Sequence, residues 1–327
     1  MKFAYSLLLR LPDSTILNLI RRFNWVKLLQ FSLVSSRARQ LVASLNRKTN
    51  QFNVYIENDE INISVSCNKC SIGFEFYKDK SVNDDLSIRR ELLPPRIVYA
   101  KINNNSYKLH REGFELKDWV DHLLFIFNTS KVNECYLATN KYDFHSLSKT
   151  FDEIETFHLD LPEGISDEDA LNAFKTSHTL CIDRSVNEEE KFHKILMRNY
   201  TCLNFMERTT LTLNDLLTIN TSYTSFFDVS FTEKVLNRFL KHWIKGSNPQ
   251  LVGMFFNCIL EREFEMNQLL KGIDNKVTGL AANEETPNGN FVIKRFNGTR
   301  ATLKITLFPN AASILMIVPA GVQKYHF

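Results

Sequence analysis

The sequence predicts an α/β protein in three parts: an N-terminal segment of three helices, a small antiparallel β region, and an α/β solenoid of strand–helix units closed by a C-terminal β-hairpin. Three observations predict this order. Apolar residues have helical spacing in the first 45 residues and alternate with polar residues from Phe52 onward. Short strand-like runs then recur in steps of 22, 23, 23, 23 and 26 residues, beginning at Cys135. Near the end, Asn297-Gly298 separates two alternating runs.

The N-terminal segment is predicted to form three short amphipathic helices. Pro12 suits a first helical position, "WVKLLQF" follows a break at Asn24, and Ser35 is placed to cap the third helix. Their apolar positions are Ile16, Leu19, Ile20, Phe23, Leu28, Leu29, Ala38, Leu41, Val42 and Leu45. Three helices of this size cannot bury so much apolar surface by themselves. The surplus must therefore face a partner or the rest of the chain.

An antiparallel sheet is predicted next. The runs "FNVYIE", "INISVS" and "IGFEFY" alternate apolar and polar residues, and Asn58-Asp59 suits a hairpin turn between the first two. The runs "RIVYAKI" and "SYKLHR" continue the pattern after a polar stretch at residues 81–95. These runs favour a small sheet with one buried face.

Strand-like runs alternate with helical segments after a predicted helix at Leu116 to Phe127. The runs are centred on Cys135, Phe157, Leu180, Leu203, Phe226 and Val252. A strand–turn–helix unit of about 20 to 29 residues is the period of leucine-rich repeats, in which successive strands stack in parallel. We therefore predict a leucine-rich-repeat-like solenoid whose strand centres are neighbours. The Asn297-Gly298 hairpin is predicted to cover its open end.

Composition and charge argue against a nucleic-acid-binding, membrane or secreted protein. Forty basic and 37 acidic residues leave a net charge of +3, which favours neither a nucleic-acid nor a membrane partner. No apolar run approaches the roughly 20 residues of a spanning helix, and Arg10 ends the short run that a signal peptide would require. The six cysteines, including Cys67 and Cys70 of "CNKC", are expected to be buried reduced thiols of an intracellular protein.

Signatures of catalysis and of cofactor binding are absent from the sequence. The spacing of the ten glycines excludes G-x-G-x-x-G and G-x-S-x-G, and no Gly-Lys-Ser/Thr occurs. H-E-x-x-H is missing as well, and the eight histidines stand singly. We therefore predict no catalytic residue, no cofactor and no metal. The protein is expected not to be an enzyme.

The opening stretch "LLLRLPDSTILNLIRRFNWVKLLQFSLVSSRARQLV" resembles an F-box. The segments "WVDHLLFIF", "FLKHWIKGSNPQL" and "FVIKRFNGTRATLKI" are similar to those of nematode F-box proteins with an F-box-associated type 2 region. By this resemblance, residues 7–48 form the F-box and 50–115 the antiparallel β region. Residues 116–327 form the leucine-rich-repeat-like F-box-associated domain.

This resemblance implies a substrate receptor of an SCF-type E3 ubiquitin ligase, acting in the cytoplasm or nucleus. The F-box of such a receptor binds a Skp-type adaptor and through it a cullin, while the C-terminal region recruits the protein to be ubiquitinated. The receptor is a non-catalytic subunit. Carried onto this sequence, the adaptor-facing residues are Leu11, Pro12, Ile16, Ile20, Leu28, Leu29, Leu33, Val34 and Ser35.

A second hypothesis stays open beside this one. The chain could be a leucine-rich-repeat-like interaction module with no ubiquitin-ligase role, whose N-terminal helices pack on the sheet as an end cap. The apolar residues of the first 45 separate the two, because an exposed patch favours a receptor and coverage by the chain itself favours a cap. A third possibility, an unrecognised hydrolase, would need a polar cluster at a pocket, which the sequence does not indicate.

Overall fold

The computed structural model describes residues 5, 7–58, 60–67, 70–77, 92–95, 97–103, 105–174, 178–186, 189–260, 262–283 and 286–319. The protein is a mixed α/β protein whose chain divides into unit 1, residues 1–177, and unit 2, residues 178–327. Within the described ranges, no helix combines the length and the apolar composition that crossing a membrane requires. The domain boundaries predicted from the sequence, at residues 48–50 and 115–116, stay predictions.

From residue 13 onward, the described part of unit 1 begins with three helices, as predicted. They are α1 (Asp13–Ile20), α2 (Trp25–Ser32) and α3 (Ser36–Ser44). The Asn24 side chain accepts a hydrogen bond from the Lys27 backbone N at 3.0 Å, and Ser35 accepts one from the Ala38 backbone N at 3.1 Å. The predicted cap at Ser35 is therefore confirmed. Pro12 stands one position before the helix, as its N-cap residue, because its ψ of 147° is extended.

Unit 1 continues with seven strands and three more helices. In chain order these are β1 (Gln51–Glu57), β2 (Glu60–Cys67), β3 (Cys70–Phe76), β4 (Val98–Ile102), β5 (Asn105–Leu109), α4 (Leu116–Ile126), β6 (Val132–Leu137), α5 (Phe144–Thr150), β7 (Ile154–Leu159) and α6 (Asp167–Ala173). The strand order is β5-β4-β3-β2-β1-β6-β7. Neighbours from β5 to β1 are antiparallel, whereas β1–β6 and β6–β7 are parallel.

The pairing of β1 with β6 joins two regions that the sequence pattern treats as separate. Val54 lies opposite Cys135 and Ile56 opposite Leu137, so β1 is both the first strand of the antiparallel part and the neighbour of the first strand–helix unit. The predicted antiparallel region is present and continues into the parallel strands. Periodicity cannot reveal this pairing because it joins residues about 80 positions apart in the chain.

The core of unit 1 lies between this sheet and α4. Alternate residues of β2 are buried, as the predicted pattern requires, and α4 places its apolar side against the strands. The Trp119 ring meets Phe76 at a centroid distance of 6.5 Å, and Phe127 meets Phe74 at 6.4 Å. Each fully buried side chain of this kind stabilises the fold by roughly 1.5–3 kcal/mol.

The cysteines of unit 1 differ partly from expectation. Cys135 is buried, but Cys67 and Cys70 are half-buried and free. They lie opposite each other at the ends of β2 and β3, beside the turn, where the sheet meets solvent. The expectation that all six thiols are buried is therefore wrong for this pair.

Unit 2 repeats the strand–helix alternation and ends in an antiparallel sheet. Its elements are β8 (Thr179–Ile182), α7 (Glu189–Leu196), β9 (Cys202–Phe205), β10 (Thr209–Thr210), α8 (Leu213–Thr218), β11 (Tyr223–Ser230), α9 (Glu233–Ile244), β12 (Gly253–Ile259), α10 (Met266–Leu270), β13 (Asn275–Asn283), β14 (Thr286–Lys294), β15 (Arg300–Phe308) and β16 (Ala311–Ile317). The strand order is β8-β9-β11-β12-β16-β15-β14-β13, with β10 beside β11. Strands β8, β9, β11 and β12 are parallel.

The predicted register of the strand centres holds for two of the four pairs described within a unit. It fails on both sides of Phe226, which also lies opposite Phe256 rather than Val252, a residue that precedes β12. Cys135 lies opposite Phe157, and Leu180 lies opposite Leu203. Phe226, however, lies opposite Phe205, two residues away from the predicted partner Leu203. A shift of two keeps Phe226 on the buried face. It also stacks the rings of Phe226 and Phe205 at a centroid distance of 5.1 Å.

The C-terminal cap is larger than the predicted hairpin. The turn at Asn297-Gly298 does join β14 to β15, and Gly298 has a φ of 93°, which favours glycine. Two further strands flank this hairpin, β13 beside β14 and β16 between β15 and β12. These strands pair backbone groups that a lone hairpin would leave open at both edges.

Candidate functional site

The Leu-Pro segment before α1 is held by an arginine of α3. Arg37 donates to the backbone oxygens of Leu9 at 2.6 Å and Leu11 at 3.1 Å, and its Nε donates to Asp13 Oδ1 at 3.0 Å. These bonds fix the entry to α1 against α3, about 25 residues further along the chain. Sequence reasoning missed Arg37, because an arginine on a polar helix side gives no pattern that distinguishes a structural bond from a solvated charge.

The predicted adaptor-facing residues fall into two groups. Ile16, Ile20, Leu28 and Leu29 are at most 2% exposed, so they form part of the core of unit 1 and present no surface to a partner. The remaining residues are accessible: Leu11 and Pro12 are exposed, and Leu33, Val34 and Ser35 are half-buried. Both groups lie in the same short helical segment, so apolar spacing alone could not separate them.

An exposed apolar edge remains on the helical segment. Leu7, Leu11 and Leu19 are 47%, 38% and 42% exposed, and Pro12 is exposed beside Leu11. Leu11 and Pro12 directly precede α1, and Leu19 lies in its last turn. We call Leu7, Leu11, Pro12 and Leu19 the Leu-Pro edge. The bonds from Arg37 hold the part of this edge around Leu11.

Another side of the helical segment is bonded to α4. Arg39 donates to the Asp121 backbone O at 2.8 Å, and Asn128 Nδ2 donates to the Ala43 backbone O at 3.0 Å. The Trp25 ring lies over Phe127 with centroids 4.9 Å apart. Residues 24–25 therefore contribute a helix cap and a ring that ties α2 to the end of α4.

A buried histidine lies at the same junction. His122 Nε2 is 2.9 Å from Ser32 Oγ, which itself donates to the Leu29 backbone O. Burial, followed by the positive charges of Arg39 and Arg111, lowers the pKa of His122 to about 3. The imidazole is therefore neutral at physiological pH, and it joins α2 to α4 without a charge.

In unit 2, a single arginine connects the two segments "FLKHWIKGSNPQL" and "FVIKRFNGTRATLKI". Arg295 is buried and donates to the backbone oxygens of Trp243 at 3.0 Å, Ser247 at 2.7 Å and Asn248 at 3.2 Å. Its guanidinium also lies 4.4 Å from the Trp243 ring centroid. Arg295 thus caps the C-terminal end of α9 and fastens the β14–β15 hairpin to it.

A His–Asp pair joins α7 to α8 in unit 2. His193 Nε2 lies 2.6 Å from Asp215 Oδ1. The carboxylate also accepts bonds from the backbone N and the hydroxyl of Thr212, which caps α8. These bonds assign Asp215 to helix capping. Over the described ranges, no group of three or more His, Cys, Asp or Glu is placed to hold a metal ion.

The comparisons with known proteins agree with the F-box-associated part of the resemblance. Residues 191–255, from α7 to the start of β12, match the family model described as F-box associated. The chain is 24% identical over 307 residues to the F-box associated domain-containing protein sdz-33 of Caenorhabditis elegans, which covers 90% of this chain and 92% of that protein. No solved structure matches the chain. The chain is thus similar to a nematode F-box-associated protein over most of its length.

Proposed function

We propose that this protein is the substrate-recognition receptor of an SCF-type E3 ubiquitin ligase. The helices of residues 7–48 are the F-box and bind a Skp-type adaptor, through which the protein joins a cullin. The F-box-associated region recruits a protein substrate. The receptor is a non-catalytic subunit that acts in the cytoplasm or nucleus.

One observation carries the proposal: a three-helix segment with an exposed Leu-Pro edge precedes a region that matches the F-box-associated family model. Apolar side chains held outward by a fixed backbone suit a protein partner, because little conformational freedom is lost on binding. We propose Leu7, Leu11, Pro12 and Leu19 as the centre of the adaptor contact, with Leu33, Val34 and Ser35 as further accessible positions.

We also propose that the strand–helix units form a leucine-rich-repeat-like solenoid. Supporting this are the parallel pairs β6–β7 and β8–β9, in which residues 22 and 23 positions apart face each other. The aligned rings of Phe205, Phe226 and Phe256 on three neighbouring strands support it as well. Each unit borrows part of its core from the next one, which is typical of repeat proteins.

Calorimetry of the full chain with a purified Skp-type adaptor tests the receptor proposal. The wild-type protein should bind, and Leu11→Asp and Leu19→Asp should each weaken binding by about 10-fold or more, because each puts an unpaired carboxylate into an apolar contact. Leu93→Asp is the matched control, since Leu93 is a 58% exposed leucine elsewhere in unit 1. The three variants should melt at nearly the same temperature.

The proposal fails if correctly folded wild-type protein shows no affinity for the adaptor, or if Leu93→Asp weakens binding as much as Leu11→Asp does. The interaction module without a ligase role would then be the better account. A specific observation favours that alternative: Ile16, Ile20, Leu28 and Leu29 are buried by the chain itself. Bonds from Ser32 and Arg39 to α4 also suit an end cap.

A further inference from the structure

One face of the sheet of unit 2 is only partly covered by the residues that the structure describes. Along β15, Leu303 and Ile305 are buried, while Lys304 between them is exposed on the opposite face. Residues that lie opposite each other on paired strands share a face of the sheet. Leu315 of β16 lies opposite both Lys304 of β15 and Phe255 of β12, so these three residues are on the same face. Phe255 and Leu315 are only half-buried. We call the side of β12–β16 that carries these three residues the open face.

Apolar and basic side chains are neighbours on the open face. Ile317 of β16, an exposed residue, lies opposite Thr302, in the row next to Leu315 and Lys304. Continuing that row, Thr302 lies opposite Val292, which lies opposite the exposed Lys276 of β13. The open face therefore has apolar residues on β12 and β16 and positive charges on β13 and β15.

The charged side chains within these strands are all positive. Strands β12 to β16 contain Lys276, Lys294, Arg300 and Lys304 and not one Asp or Glu. All four side chains are exposed, and in the part of the chain that the structure describes none of them forms an ion pair. Lys294 even lies directly opposite Arg300. Like charges in that position destabilise a sheet, so fold stability does not explain the arrangement.

We propose that the open face of unit 2 binds an acidic segment of a partner protein, whose apolar side chains cover Phe255, Leu315 and Ile317. Carboxylates of that segment would pair with Lys304 and Arg300 at the edge of the apolar area. Charge complementarity would supply orientation and a faster association, and the apolar contact would slow dissociation. That the open face recruits the substrate rests on the receptor function proposed above.

Fluorescence anisotropy of the full chain tests the inference. The probe is a labelled peptide of ten residues, six glutamates with two leucines and two phenylalanines, and the reference peptide carries lysine at every glutamate position. The acidic probe should bind at least about 10-fold tighter than the reference, and binding should weaken when salt rises from about 50 to 300 mM. Lys304→Glu and Leu315→Asp should each weaken it by about 10-fold or more.

Lys108→Glu is the matched control for charge reversal, because Lys108 is an exposed lysine on β5 in unit 1, and it should leave probe binding unchanged. Equal affinity for the two peptides, or equal losses in Lys108→Glu and Lys304→Glu, would overturn the inference. So would binding of polyuridine or of vesicles of phosphatidylserine and phosphatidylcholine at the open face without binding of the acidic probe. A concentration-dependent dimer abolished by Leu315→Asp would instead assign the face to a second copy of this chain.

Adaptor calorimetry on the same variants separates this inference from the receptor proposal. Lys304→Glu should bind the adaptor like wild type. If the probe binds at the open face while the adaptor does not bind at all, the recognition surface stands and the ligase role fails. If the adaptor binds and the acidic probe has the same affinity for Lys304→Glu as for wild type, the receptor proposal stands and the assignment of the open face fails.

Discussion

Replacing Ile16 and Ile20 by alanine separates a structural role from a binding role for the α1 helix. Both side chains are 0% exposed. Truncating a buried isoleucine to alanine costs about 2–5 kcal/mol, and because the two are neighbours at i and i+4 their cavities merge and the costs do not add fully. We expect a loss of about 5 kcal/mol in the free energy of unfolding of unit 1.

Urea unfolding followed by tryptophan fluorescence measures this loss, since Trp25 and Trp119 both lie in unit 1. With a urea dependence of about 2 kcal/mol per molar, a loss of about 5 kcal/mol should lower the midpoint by about 2.5 M. The matched variant is Leu11→Ala with Leu19→Ala, which truncates two exposed residues at the start and on the outer side of α1. It should change stability by less than about 1 kcal/mol.

Adaptor binding should show the opposite pattern. The folded Ile16→Ala, Ile20→Ala protein should keep an adaptor affinity within about 3-fold of wild type, whereas Leu11→Ala with Leu19→Ala should lose about 10-fold or more. The reasoning is refuted if the isoleucine variant keeps its urea midpoint and loses adaptor binding. That result would mean that Ile16 and Ile20 face the adaptor and that the helices rearrange on binding.

Three further predictions concern stability and thiol chemistry. Arg295→Lys should lower the free energy of unfolding of unit 2 by about 2 kcal/mol in thermal melts, because lysine cannot reach all three carbonyl oxygens. An unchanged melting temperature would contradict the proposed contribution of these three hydrogen bonds to stability. His122 is protonated near its ordinary pKa of 6.5 in the unfolded chain but only near pH 3 in the native protein. Between pH 6.5 and 3 the unfolded state therefore binds more protons, so the free energy of unfolding falls as the pH falls. Urea titrations should therefore show about 2 kcal/mol more loss from pH 6.5 to 5 in wild type than in His122→Asn, and parallel curves would contradict the buried neutral imidazole. Iodoacetamide should modify Cys70 in the native protein, and Cys67 more slowly because burial and the neighbouring Cys70 raise the pKa of the Cys67 thiol to about 11. The other four cysteines should react only after unfolding, as read by mass spectrometry, and labelling of Cys135 in the native state would contradict its burial.

Local patterns determined most of the secondary structure. The helical spacing of residues 13–44, the alternation in β1 to β3 and the cap at Ser35 all depend on neighbours within a few positions, so the sequence alone predicts them. The turn at Asn297-Gly298 follows for the same reason. The repeated step near 23 residues also predicted which strands of each unit are neighbours.

The tertiary structure alone decided which apolar residues are available to a partner. Leu19 and Ile20 are adjacent apolar residues, yet Leu19 is exposed and Ile20 is buried. Helix α1 has apolar residues on more than one side, and only its packing within unit 1, which includes contacts with α3, selects the buried one. The same holds for Arg37 and Arg295, whose carbonyl partners lie about 25 and 50 residues away. The open face of unit 2 depends on strand register in the same way, because Lys294 and Arg300 become opposite neighbours only when β14 and β15 pair. A pattern of neighbouring residues does not predict contacts between distant parts of the chain.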